Sequence, residues 1–276
     1  MIFPFACRSA EHETARRGLE PWLLNQRIRG AVLRHRGMRW PVRADLPRLL
    51  TGHSIRSVGR RSKYLLLDCE SGWLILHLGM SGSVRMVPAG AAPGKHDHFD
   101  LVLESGQAMR LTDPRRFGAV IWEPGDPSGH KLLQDLGPEP FDPAFDAHWL
   151  HARTRGRRAA VKNVLMDNHV VCGVGNIYAN ESLFGAGIHP ARAAGRISLE
   201  RYARLVEVVQ QTLRAAIAAG GSTLRNYVNA DGNPGWFQQQ YFVYGREGEP
   251  CRKCGAMIKA VRIGQRAAFY CPRCQR

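Results

Sequence analysis

The hydrophobic pattern divides the chain into an alternating first half and a helical second half. Residues 11–26 have helix-forming composition, and Pro21 is expected to kink or restart that helix because its ring removes a backbone donor. From 28 to 123 the apolar residues come in short runs. Among them are Lys63-Tyr64-Leu65-Leu66-Leu67, Trp73-Leu74-Ile75-Leu76-His77-Leu78 and Phe99-Asp100-Leu101-Val102-Leu103. Turn-forming stretches at Gly79-Met80-Ser81-Gly82 and 88–94 separate them, which predicts an antiparallel sandwich or barrel. Breaks at Glu123-Pro124-Gly125-Asp126-Pro127 and Gly137-Pro138-Glu139-Pro140 mark a domain boundary. Beyond it the period becomes helical. Leu199, Tyr202, Leu205, Val206, Val209, Leu213, Ala216 and Ile217 share one stripe, which reads as a core face. Ser198 stands at its start as an N-cap, and Gly220-Gly221 stands at its end as a stop.

Composition narrows the class. A chain of 276 residues, 44% hydrophobic and 22% charged, has the length and make-up of a globular protein with a buried core. No apolar run approaches the roughly 18 residues of a membrane span, and the apolar start Met1-Ile2-Phe3-Pro4-Phe5-Ala6-Cys7 is too short for a signal-peptide core. Disorder, collagen, a membrane channel and a secreted disulfide scaffold are excluded on these grounds. The net charge of +16, from 39 basic against 23 acidic residues, points to a polyanion partner: nucleic acid or an anionic membrane surface. A basic, well-solvated surface is the alternative.

Four of the seven cysteines fall in the last 26 residues, as Cys251-x2-Cys254 and, after sixteen residues, Cys271-x2-Cys274. Each pair presents two thiolates from one knuckle, and two knuckles close a tetrahedral site for one structural Zn²⁺. Such a metal would fold a segment too small to hold itself together; a redox role or chance spacing is the alternative. Eight basic and two acidic residues lie between 245 and 276, as suits a ribbon that touches nucleic acid, or one that docks a protein.

Two further stretches could carry chemistry. Asp167-Asn168-His169-Val170-Val171-Cys172-Gly173-Val174-Gly175-Asn176-Ile177-Tyr178 places glycines ahead of a helix start, a natural phosphate site. It follows a basic run at Arg153, Arg155, Arg157, Arg158 and Lys162, which could equally be a solvated face. Asp113-Pro114-Arg115-Arg116-Phe117-Gly118 offers two guanidinium groups beside an aromatic, and Met80 is an apolar side chain at another turn. Such residues can wedge into a duplex, or they can fold back onto their own domain.

Taken in order, these pieces resemble the formamidopyrimidine-DNA glycosylase family, in its oxidised-purine branch. The stretches that carry the resemblance begin with Glu13-Thr14-Ala15-Arg16-Arg17-Gly18, Arg61-Ser62-Lys63-Tyr64-Leu65-Leu66, His77-Leu78-Gly79-Met80-Ser81-Gly82 and Lys95-His96-Asp97-His98. They continue through 112–118, Leu136-Gly137-Pro138-Glu139-Pro140, Met166-Asp167-Asn168, 173–178 and the cysteine ribbon with Gln265-Arg266. Gly220-Gly221-Ser222-Thr223-Leu224 and the segment to Val243 point to the branch.

The resemblance implies an α+β fold: an N-terminal antiparallel β-sandwich over 1–130, a helical helix-two-turn-helix domain over 131–240 and a C-terminal zinc ribbon over 241–276. It implies a cytoplasmic, nucleoid-associated monomer acting on double-stranded DNA that contains oxidised purines or abasic sites. The implied reaction excises 8-oxoguanine and formamidopyrimidines and nicks the abasic strand by β,δ-elimination. Position by position, Lys63 is the β-elimination residue and a phosphate contact, and Arg266 the δ-elimination residue. His96, Arg115, Arg157 and Asn176 hold DNA, while Met80, Arg115 and Phe117 fill the gap left by the flipped base.

One departure stands out. The family begins its chemistry at a proline exposed after the initiator Met and followed by a glutamate. An α-amino group has a pKa near 8, so part of it is a neutral nucleophile at neutral pH. Aligned on Glu11 and Glu13, this sequence has Cys7 and Arg8 in those places. Three expectations follow: a frameshifted or wrongly chosen start over an intact enzyme, a non-catalytic binder of damaged or abasic DNA, or a Schiff base rerouted to Lys63 or the Met1 amine.

Overall fold

The computed structural model describes residues 9–79, 81–220 and 241–276. These fall into two compact units, one spanning Ala10–Gln134 and the other 135–219 with 241–276.

The first unit opens with α1 (Ser9–Leu23), which buries Ala15, Leu19 and Leu23, a spacing that keeps one face inward. The helix runs through Pro21 without restarting. Proline sits in the last turn, where its missing donor costs one terminal bond and leaves the interior ladder intact. Eight strands follow: β1 (Ile28–Leu33), β2 (Ser57–Arg61), β3 (Tyr64–Asp68), β4 (Trp73–His77), β5 (Ser83–Pro88), β6 (Asp97–Leu103), β7 (Gln107–Thr112) and β8 (Ala119–Glu123). They form two antiparallel four-stranded sheets, ordered β1-β6-β7-β5 and β2-β3-β4-β8.

Alternation decides what each strand buries. In β3, Leu65 and Leu67 point inward while Tyr64, Leu66 and Asp68 are half-buried. Leu65, Leu67, Leu74, Leu76 and Val120 of one sheet share a single core with Val84, Phe99, Leu101, Met109 and Leu111 of the other, together with Leu19 and Leu23 of α1. That makes a sandwich with a helix built into its core. The short α2 (Leu46–Leu50) adds Leu46 and Leu50, and at five residues it is too brief to show a helical period in sequence.

The second unit holds α3 (Ala147–Thr154), α4 (Val161–Leu165), α5 (Asn176–Gly185), α6 (Leu199–Ala218) and a terminal hairpin of β9 (Lys259–Ile263) and β10 (Arg266–Tyr270). Every residue of α5 from Ile177 to Phe184 is buried, so it is the central helix of the unit. The stripe read on α6 packs as expected through Tyr202, Leu205, Val206, Val209, Leu213 and Ala216, with Leu199 and Ile217 half-buried. The Ser198 side chain caps it by accepting the Arg201 N–H at 3.4 Å. Among the described residues, no helix is long and apolar enough to cross a membrane.

Candidate nucleic-acid interface

Lys63 lies outside β3, in the two-residue turn after Arg61, where Ser62 takes a left-handed backbone (φ 54°). A guanidinium clamp fixes that turn. Arg60 donates to the Ser62 carbonyl at 2.8 Å and to Glu13 of α1 at 3.0 Å. Glu13 also accepts from Arg17 at 2.8 Å and from Arg16 at 3.3 Å. Burial alone raises its pKa, but hydrogen bonds from the three arginines overcome this and hold the carboxyl at about 2. The side chain of Lys63 is itself mostly buried. The next residue, Tyr64, pairs with His77, which in turn pairs with Ala119, so Lys63 stands at the sheet end where the 77–82 and 113–118 turns emerge.

Those turns are organised by Asp113, which is fully buried. Its carboxylate accepts the Gly118 N–H at 2.7 Å, the Arg115 N–H at 3.2 Å and the Ser81 hydroxyl at 3.4 Å. The loop between carries exposed Arg115 and Arg116 and half-buried Phe117, with the Arg115 guanidinium 4.5 Å from the Phe117 ring centre. Arg116 adopts φ 56° and meets His35 Nε2 at 2.8 Å. His96 joins the same cluster: its carbonyl accepts the Asp113 N–H at 2.9 Å. The loop before it is pinned from below by buried Arg110, which donates to the Ala91 and Ala92 carbonyls while pairing with Asp100 at 2.8 Å. Structure thus brings His96, Arg115 and Phe117 together around one buried carboxylate. Met80, the remaining wedge residue, lies outside the described residues, as do 1–8 with Cys7 and Arg8.

In the second unit, Arg157 is exposed and, among the described residues, its side chain makes one long ion pair, 3.9 Å to Asp167. Asn176 opens α5 immediately after Gly175. Its side-chain amide donates to the Ala267 carbonyl of the hairpin at 3.2 Å, one residue from Arg266. Asn176 and Arg266 therefore share one corner, whereas Arg157 stands on a separate loop. Glu181, further along α5, is buried and accepts three successive N–H groups, from Phe242, Val243 and Tyr244, at 2.9, 3.0 and 2.8 Å. That grip fixes where the chain enters the ribbon.

The four ribbon cysteines converge as expected. The Sγ atoms of Cys251, Cys254, Cys271 and Cys274 all lie within 4.8 Å of one another. A zinc tetrahedron with Zn–S bonds of about 2.3 Å has edges of roughly 3.8 Å, so these thiolates fit the ion. The ribbon holds one structural Zn²⁺ through these cysteines.

Comparison with known proteins agrees with this architecture. The formamidopyrimidine-DNA glycosylase N-terminal domain matches residues 9–120, the H2TH domain of the same enzyme matches 136–228, and a zinc finger found in FPG and IleRS matches 248–276. Formamidopyrimidine-DNA glycosylases of Syntrophotalea carbinolica and Alkalilimnicola ehrlichii are 54% and 56% identical, each aligned over 96% of this chain and 98% of its own length. The chain belongs to the formamidopyrimidine-DNA glycosylase family. Among solved structures, Lactococcus lactis Fpg in complex with DNA containing an abasic site superposes with a TM-score of 0.90 at 32% identity, covering 97% of this chain and 99% of that one. The MutM (Fpg) protein of Thermus thermophilus gives 0.86 at 38% identity, covering 97% and 98%. Sequence reading names neither Arg60 nor Arg110 as a supporting residue, and it gives Glu13 only as part of a motif, not as a clamp. Acidic and basic residues on strands and helices carry no spacing signal of their own, and only the fold shows which pairs meet.

Proposed function

We propose that this chain is a base-excision repair DNA glycosylase and abasic-site lyase that removes oxidised purines, 8-oxoguanine and formamidopyrimidines, and nicks the abasic strand by β,δ-elimination. The observation that carries the reading is the Asp113-held loop presenting Arg115 beside Phe117, in a chain aligned over 96% of its length with named glycosylases. A guanidinium stacked on an aromatic suits the space vacated by a flipped base. Lys63, with its turn fixed by the Glu13–Arg60 clamp, is the β-elimination residue and a phosphate contact. Arg266, at the start of β10, serves δ-elimination. His96, Arg115, Arg157 and Asn176 hold DNA, and Met80 completes the wedge with Arg115 and Phe117. The working division is sandwich 1–130, helical domain 131–240 and ribbon 241–276, in a cytoplasmic monomer.

The opening attack on the sugar C1′ is the step for which the family uses a proline amine followed by a glutamate. The test therefore uses two chains: the sequence as written, and one that begins Pro-Glu in place of residues 1–8. Borohydride trapping on duplexes carrying 8-oxoguanine or an abasic site, with peptide mapping of the cross-link, reads the outcome. Trapping on 8-oxoguanine by the Pro-Glu chain supports the glycosylase. Tight binding of both duplexes with no cross-link from either chain overturns it in favour of a binder.

A further inference from the structure

The hairpin that carries Arg266 is short, and its placement depends on how its free edge is held. Gly264 and Gln265 both adopt left-handed backbone (φ 55° and 66°), the two-residue turn that pairs Ile263 with Arg266. In such a hairpin the next pair, Arg262 with Ala267, makes no ladder bonds, so the N–H and C=O of Ala267 point outward. Phe269 repeats that orientation two residues on. Two of these four outward groups are taken up by helices. Asn180 of α5 accepts the Phe269 N–H at 2.7 Å. The Ala267 carbonyl receives Asn176 at 3.2 Å and, at 2.6 Å, the ammonium of Lys162 from α4.

Lys162 is the unexpected partner. Its side chain is fully buried, and a buried ammonium carries a desolvation cost that an apolar residue of similar length avoids. Burial, reinforced by the neighbouring charge of Arg266, lowers its pKa to about 8. The charge of half-buried Arg266 disfavours the Lys162 ammonium, and a nearby anion would offset that repulsion. The next residue of α4, Asn163, sits under the hairpin tip: a Cβ on Gly264 would stand 2.7 Å from its amide nitrogen.

We infer that Lys162 is a positioning residue: by donating to the Ala267 carbonyl it sets the hairpin so that Arg266 is presented to a DNA phosphate. The inference rests on the proposed reading of Arg266 as a DNA-contacting residue.

The test measures binding of an uncleavable abasic-site analogue in duplex DNA, so it does not require the nucleophile. It compares the parent chain, K162M, R266A and the double variant. Hydrogen exchange of the 259–270 amides and zinc content are followed in the DNA-free proteins. Lys162 acting through Arg266 predicts about a tenfold loss of affinity for each single variant and no further loss in the double variant. It also predicts faster hairpin exchange in K162M with one zinc retained, and recovery of affinity in K162R. Independent losses that multiply to about a hundredfold, or K162M matching the parent in affinity, overturn the inference. Unchanged binding by R266A overturns the reading of Arg266 and this inference with it. A parent chain that binds abasic and intact duplexes alike overturns the functional reading instead, and hairpin exchange in K162M then decides the anchor by itself.

Discussion

The buried carboxylate of Asp113 accepts the backbone N–H of Gly118 at 2.7 Å, closing the loop that carries Arg115, Arg116 and Phe117. The same side chain holds the Arg115 N–H, so Asp113→Ala strands two backbone donors at once, that of Gly118 buried and that of Arg115 partly so. Such a loss costs about 2–4 kcal/mol of stability, read from urea unfolding midpoints. Asp113→Asn keeps one acceptor oxygen and is expected to cost less. Both variants should lose discrimination between abasic and intact duplex while retaining zinc.

Glu13 sets the acid limb of stability. Its pKa is lowered on folding, from 4.5 to about 2, so its contribution is present in full above the unfolded value and disappears as the pH falls through the folded one. The parent chain should therefore lose on the order of 1–2 kcal/mol from this group between about pH 5 and pH 2. Glu13→Gln should show a flatter Tm profile over that window and a lower Tm at neutral pH. Its Lys63 turn should be looser as well, read by hydrogen exchange.

Arg110 lies 2.8 Å from Asp100 and 3.5 Å from Asp97, with all three side chains buried. Removing the cation alone leaves two carboxylates without it. Arg110→Met is expected to cost about 3–5 kcal/mol in chemical denaturation. Because Arg110 also holds the carbonyls of Ala91 and Ala92, the variant should weaken DNA binding through His96.

Among the described residues, a 3.9 Å ion pair to Asp167 is what holds the exposed guanidinium of Arg157. As a phosphate contact it carries no sequence information. Arg157→Ala should weaken abasic and undamaged duplex to the same degree and reduce the slope of log K against log salt by about one. Selective loss on the abasic duplex would show that Arg157 reads the lesion.

Cys254→Ser removes one of four thiolates from a cluster that has no spare ligand among the described residues. Metal analysis should show zinc content falling well below one per chain. Hydrogen exchange over 248–276 should accelerate, while the sandwich of Ala10–Gln134 keeps its unfolding midpoint.

What could be read in advance follows from how local each signal is. The four cysteines and the α6 stripe are periodic or closely spaced, and both assemble as their spacing implies. Val208 escapes the stripe read on α6 because its partner is Gly185 of α5, where a missing side chain makes room: a Cβ there would stand 2.6 Å from Val208. Pro21 is misjudged from composition because its cost depends on its distance from a helix end that only the fold defines. Lys63, placed in a strand by its apolar neighbours, is lifted into a turn by the left-handed Ser62. The clamps behind the site are the least legible. Glu13 meets Arg60 and Lys162 meets Ala267 across long stretches of chain, and neither contact leaves a mark in either local sequence.

Gly79 has a mechanical consequence. A Cβ there would stand 2.7 Å from the Phe117 carbonyl carbon and 2.8 Å from the Gly118 nitrogen, so the two turns touch backbone to backbone. With no side chain between them to flex, a push on one is passed to the other without slack. For the wedge role proposed for this loop, the expectation is that the prong does not fold out to probe each base pair but lets the duplex yield, so that the softness of the base step would set how far it enters and a weakly stacked lesion would give way first.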